Sequence, residues 1–165
     1  MKRIILLCLL VYSSTTFCQD SENYTTLQTN TEEVIIPGKW TQLNTMDDSG
    51  QTYLQNEESV IISVAQNKMK AYSFYEEGLN DYKLVKKFYE WDSNWRRDNN
   101  FKTAKLKENK KKKYIIWKFN DGQLDNVFLF GASKRNFINL LVYTDKWNEN
   151  DKIRFLEELF DLNTK

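Results

Sequence analysis

The spacing of apolar residues changes along this chain, and that change limits the folds open to it. Val60, Ile62 and Val64 alternate, which is the period of a strand with one buried face. Leu84, Phe88, Trp91 and Trp95 then recur at steps of 4, 3 and 4, a single stripe on an α-helix. Ile138, Leu140 and Val142 return to alternation, interleaved with Asn139, Leu141 and Tyr143. Ile153, Leu156, Leu159 and Phe160 restore the helical step. Strands, helix, strands, helix is the order of an α+β domain: a mostly antiparallel sheet with two packed helices.

Punctuation supports that order. Val34 to Leu43 reads as one strand, interrupted by Pro37 and Gly38 and therefore an edge strand or a bulged one. Asp47 to Gly50 is turn chemistry, and Asn56 to Ser59 separates Gln51–Leu54 from Val60–Ala65 as a hairpin. Residues 69 to 80 carry Tyr72, Phe74 and Tyr75 in no clear period. Asn80 or Asp81 can cap the first helix, and Asn99-Asn100 end it. Phe101–Lys107 and Tyr114–Asn120 surround a lysine-rich hairpin. Asp121-Gly122 signals a two-residue turn into Leu124–Ala132. Phe137–Thr144 follows, joined near Ser133–Asn136. This last pair is apolar on both faces and is expected in mid-sheet. The second helix starts near Asn148 or Asn150.

Both cysteines, Cys8 and Cys18, lie in the first 18 residues. Lys2 and Arg3, the apolar run from Ile4 to Tyr12 and the polar Ser13–Thr16 make a secretory signal-peptide pattern, with cleavage expected between Cys18 and Gln19. An uncleaved anchor would need about 20 apolar residues, twice this run. A lipidated Cys18 would follow a small residue, and Phe17 is large. The expected location is therefore the periplasm or the extracellular space. Losing Lys2 and Arg3 takes 24 basic residues to 22 against 23 acidic ones, so net charge moves from +1 to −1. Such a chain does not suit nucleic acid through its overall field. Residues 19 to 33 read as a flexible polar spacer, with a glycosylation-type Asn23-Tyr24-Thr25, ahead of a single domain over 34–165.

Trp40 on a first strand, Tyr53 with Val60–Val64 as a hairpin, the Leu84–Trp95 helix, the Phe128–Tyr143 strands and the Phe155–Leu162 helix together resemble the PsbP-like and DcrB-like group of small secreted α+β domains. The resemblance is one of pattern over about residues 33 to 162. It implies an accessory role in envelope or membrane complexes and carries over no functional residue. Gly38-Lys39-Trp40 is similar to the G-x-W of lipocalin barrels, but the helix over 81–98 interrupts a barrel's strand order.

Residue types exclude most catalytic templates. The chain has no histidine, and after cleavage it would have no cysteine nucleophile. No glycine-rich phosphate loop is present, and no cofactor is expected. Paired carboxylates remain, from Asp47, Asp48, Glu76, Glu77, Asp121 and Asp125. Asp145, Asn148, Asn150 and Asp151 offer oxygen ligands for calcium, or caps for the second helix. Trp91 and Trp95 share a stripe with Leu84 and Phe88 and are expected in the core, while Trp147 is expected to be partly exposed. Lys110, Lys111, Lys112 and Lys113 form the densest charge run. They read either as a solvated turn or as a contact for anionic lipid or an acidic partner. The function expected is a non-catalytic envelope or secreted accessory protein acting through protein contacts. A module for a small apolar ligand or lipid and a carboxylate hydrolase are the alternatives.

Overall fold

A computed structural model describes residues 24–164. The expected cleavage site at Cys18 and Gln19, and the leader before it, lie outside the described residues. The chain forms β1 (Tyr24–Gln28), β2 (Glu33–Pro37), β3 (Thr41–Thr45), β4 (Thr52–Gln55) and β5 (Ile61–Lys68), then α1 (Asp81–Asp98). A meander of β6 (Lys102–Asn109), β7 (Tyr114–Asn120), β8 (Asp125–Ser133) and β9 (Asn136–Tyr143) follows, and α2 (Glu149–Leu162) closes the fold. This is the α+β class expected from the alternating periods.

The main sheet has seven strands in the order β3-β4-β5-β9-β8-β7-β6, and every neighbouring pair is antiparallel. Two meanders meet in its centre, where β5 and β9 pair from Ile61↔Tyr143 to Lys68↔Asn136. β8 and β9 are apolar on both faces and lie in mid-sheet, as their composition requires. One face packs under α2 and the small β1–β2 sheet through Ile36, Ile62, Val64, Leu129, Leu140 and Leu156. The other packs under α1 through Val85, Phe88, Trp117, Phe128, Phe130 and Phe137. Each such side chain contributes roughly 1.5–3 kcal/mol by leaving water.

Three expectations are corrected. The single strand over Val34–Leu43 is two strands in different sheets: Gly38 turns the chain at φ +91°, and the Trp40 indole donates to the Pro37 carbonyl at 2.6 Å to hold the turn. The spacer expected over 19–33 is ordered from Tyr24, because β1 pairs with β2 and buries Leu27 beside Val34. Asp121-Gly122 belongs to a four-residue loop rather than a two-residue one. The Asp121 carboxylate accepts from the Gln123 and Leu124 amides at 2.9 Å, and Asn120 pairs with Asp125. Both helix starts use asparagine caps: Asn80 accepts from the Lys83 amide and Asn148 from the Asp151 amide, each at 3.0 Å.

Candidate functional site

α1 lies chiefly over β6, β7 and β8, and its Phe88 reaches Phe137 at the start of β9 at 4.9 Å. Strands β3, β4 and β5 lie beyond its main contacts on that side of the sheet. The second half of α1 carries Trp91 and Trp95, which are 51% and 54% exposed. The expectation that both belong to the core is thus corrected. In its first half the helix buries Leu84, Val85 and Phe88. In its second half the buried position passes to Ser93, with Asp92 and Arg96 half-buried, so the tryptophans stand on the rim. A 3.6-residue period leaves two neighbouring stripes open as the packed face, and here the sheet takes the less apolar one.

The rim is backed by aromatic rings. The segment after β5, which carries no readable period, folds back so that Tyr72 and Phe74 meet Phe88 at 5.0 and 5.6 Å and Phe137 at 5.2 and 5.7 Å. Trp91 leans on Phe74 at 5.5 Å. The Arg96 guanidinium lies 5.1 Å from the Trp95 ring and 4.1 Å from the Phe119 ring, and its Nε donates to Asp92 at 3.3 Å. Burial pushes the Asp92 carboxyl up, against the pull of Arg96. Tyr53 of β4 lies in the field of Arg96, and Leu43 and Met46 are exposed on and just beyond the edge strand β3. Rigid rings with open edges, a shielded guanidinium and an exposed apolar rim suit contact with another surface.

The four lysines form the β6–β7 loop, between Asn109 and Tyr114. The Asn109 side chain accepts from the Lys112 amide at 3.0 Å. Lys112 reaches Asp161 at 2.5 Å and Lys113 reaches Asp81 at 2.9 Å. Among the described residues, Lys110 and Lys111 have no carboxylate within ion-pair distance. The adjacent β8–β9 turn adds Lys134 and Arg135. Lys111, Lys112, Lys113 and Lys134 line one cleft of about 660 Å³, with Asp161 on its wall.

The candidate carboxylates are spread out. Asp47 and Asp48 lie in the β3–β4 turn, and Glu76 and Glu77 precede α1, with Glu76 held by Lys87 at 2.6 Å. Asp121 and Asp125 share the β7–β8 hairpin end, bonded to Asn126 and Asn120 of the flanking strands. Lys118 and Asn120 hold the Asp125 carboxyl below the usual range. Partial burial opposes the same shift at Asp121, but amides of Leu124 and Gln123 carry it down. Neither can keep a proton at neutral pH, so the pair lacks the general acid that glycoside hydrolysis needs. Of the calcium set, Asn148 is spent on capping α2 and Asp151 pairs with Arg154. A further cleft, of about 550 Å³, is lined by Trp40, Trp147 and Phe155 with Glu57 and Glu58 at its mouth. Phe155 stands 5.6 Å from Trp40 and 5.2 Å from Trp147.

No protein-family model matches this chain, and no curated protein matches it.

Proposed function

We propose that this chain is a non-catalytic exported accessory protein that works by contacting another protein, and that the Trp91–Trp95 flank of α1 makes the contact. The observation that carries this reading is the exposure of two tryptophans on a well-packed helix. Leaving that much aromatic surface in water costs solubility, and a partner that covers it removes the cost. Tryptophan and arginine are also the side chains on which protein interfaces most depend. The secretory pattern of the leader and the PsbP-like or DcrB-like arrangement of elements support the same reading.

The test is affinity capture from the native envelope with the full chain as bait. The Trp91→Ala/Trp95→Ala chain should lose the captured partner, with binding at least about 30-fold weaker for a pair of interface anchors. Its melting temperature should move little, since both rings are half in water. Capture of the same partner in equal amount by both chains would overturn the assignment.

A second reading places a small apolar ligand in the Trp40–Trp147–Phe155 cleft, where three rings converge under a polar mouth. Native mass spectrometry after gentle extraction should then find a retained small molecule, absent from a Trp147→Ala chain. A clean apo mass counts against it.

A further inference from the structure

We infer that the lysine-rich end of the sheet is a second contact surface, built to lie against the anionic headgroups of a membrane. The inference is independent of the tryptophan surface, so either can fail while the other stands.

Two adjacent hairpin ends make this surface. β7 and β8 pair side by side, and the Ala132 amide donates to the Lys113 carbonyl at 3.1 Å, so the β6–β7 loop sits against the β8–β9 turn. Lys110 to Lys113 and Lys134-Arg135 therefore share one end of the sheet, although 20 residues lie between Lys113 and Lys134. Their backbone is unusual. Lys113, Lys134 and Arg135 have φ of +62°, +48° and +65°. Ser133 and Asn136 pair across a turn of two residues, both left-handed, a geometry that strongly favours Asn-Gly. Long basic side chains sit there at a conformational cost that asparagine or glycine would relieve. Three basic side chains at strained positions in one patch are the independent sign that the charge is used.

The composition of the end selects the partner. Among the described residues, the exposed large apolar ones are Tyr24, Ile35, Leu43, Met46, Trp91 and Trp95, none of them in these two turns. A protein interface wants an apolar centre and is poor in lysine. A lipid surface needs neither an apolar centre nor a fixed pairing geometry, and compact lysine ammonium groups suit it. Lys112–Asp161, Lys113–Asp81, Lys134–Glu32 and Arg135–Asp81 are ion pairs whose basic side chains stay about half exposed, and Lys110 and Lys111 lie outside them.

The experiment is co-sedimentation of the full chain with phosphatidylcholine–phosphatidylglycerol vesicles and with pure phosphatidylcholine vesicles. The leader, with its apolar run and Lys2 and Arg3, contributes equally to every variant, so the comparison between variants removes its share. Binding should be at least tenfold stronger to the anionic vesicles and should fall with salt. Each lysine at an anionic surface is worth about fivefold, so Lys110→Gln/Lys111→Gln should weaken it about 20- to 30-fold. Lys134→Asn should weaken it about fivefold while the melting temperature holds or rises. Equal binding to the two vesicles, or no change in the double variant, would overturn the inference. So would a Lys134→Asn chain that melts lower, since the turn would then need its lysine for folding. A poly-glutamate peptide or soluble glycerol phosphate binding as tightly as the anionic vesicles would also overturn it, in favour of an acidic protein or a free anion.

Discussion

Gly131 sits in β8 where α2 crosses the sheet, and its missing side chain sets how close the helix can come. A Cβ there would stand 2.2 Å from the Phe160 Cε2 and 2.9 Å from its Cζ. That ring has little room to retreat, because it is buried and packs edge-on against Tyr114 at 5.4 Å. Gly131→Ala should therefore cost about 1–3 kcal/mol through overpacking. In a domain of this size that lowers the melting temperature by about 3–10 °C. Gly131→Ala/Phe160→Leu should recover part of the loss, because leucine frees space where the methyl enters. Calorimetry of both single variants and the double reads this directly, and a double variant as unstable as the sum of its parts would show that the clash lies elsewhere. The steric demand on Gly131 was invisible in the sequence, since nothing local announces that a helix 29 residues later crosses at that point.

Elements with many apolar residues in one period were legible, and elements with few were not. β5, β8, β9 and α2 follow directly from their spacing, and the asparagine caps place both helix starts. β1 has only Leu27 to bury, so its period is too weak to read. The break at Gly38 was readable as punctuation, but not as a change of sheet. α1 shows the limit most sharply. Its extent was legible from Asn80 to Asn99, yet its stripe is ambiguous between Trp91–Trp95 and Asp92–Ser93, and only the width of sheet beneath decides. The site inherits the same limits. Lys110 to Lys113 were legible as a charge run. Lys134 and Arg135 join them only through the pairing of β7 with β8, and a Lys-Arg turn gives no asparagine or glycine signal. Tyr72 and Phe74 were missed as support for Trp91 because their loop has no period at all.

At the scale of the molecule, α1 holds the two proposed surfaces apart. Its first residue, Asp81, pairs with Lys113 and Arg135 at the lysine end. Trp95 lies fourteen residues further along, about 20 Å at the helical rise. A membrane at one and a protein at the other can be engaged together. The fold that carries them should be stable over a bounded range of pH. Asp81 and Asp125 have carboxyls below their usual range. For Asp125 the cause is bonding to Lys118 and Asn120, and for Asp81 Lys113 and Arg135 outweigh its partial burial. Their contribution is complete above the unfolded value of about 4 and is lost as pH falls below it. Asp92 runs the other way, since burial raises it, and its cost to the fold grows as pH rises above about 4. On the alkaline side Tyr114 dominates. Burial, then the hydrogen bond to Glu157, push its hydroxyl far above the ordinary tyrosine value. A raised acid favours the fold while protonated, so this contribution is whole below about pH 10 and is lost as pH rises beyond it. Tyr53, Tyr72 and Tyr82 are raised as well, each chiefly by burial, and add to the same decline. Melting temperature followed from pH 3 to 11 should show a plateau between about 5 and 9. Tyr114→Phe should cost about 1 kcal/mol at neutral pH, because Glu157 loses one donor but keeps Lys107 at 2.6 Å. Above pH 10 its curve should fall less steeply than that of the wild-type chain, and the two should converge. Parallel alkaline limbs would place the loss in the other tyrosines and not at the Tyr114–Glu157 contact beneath α2.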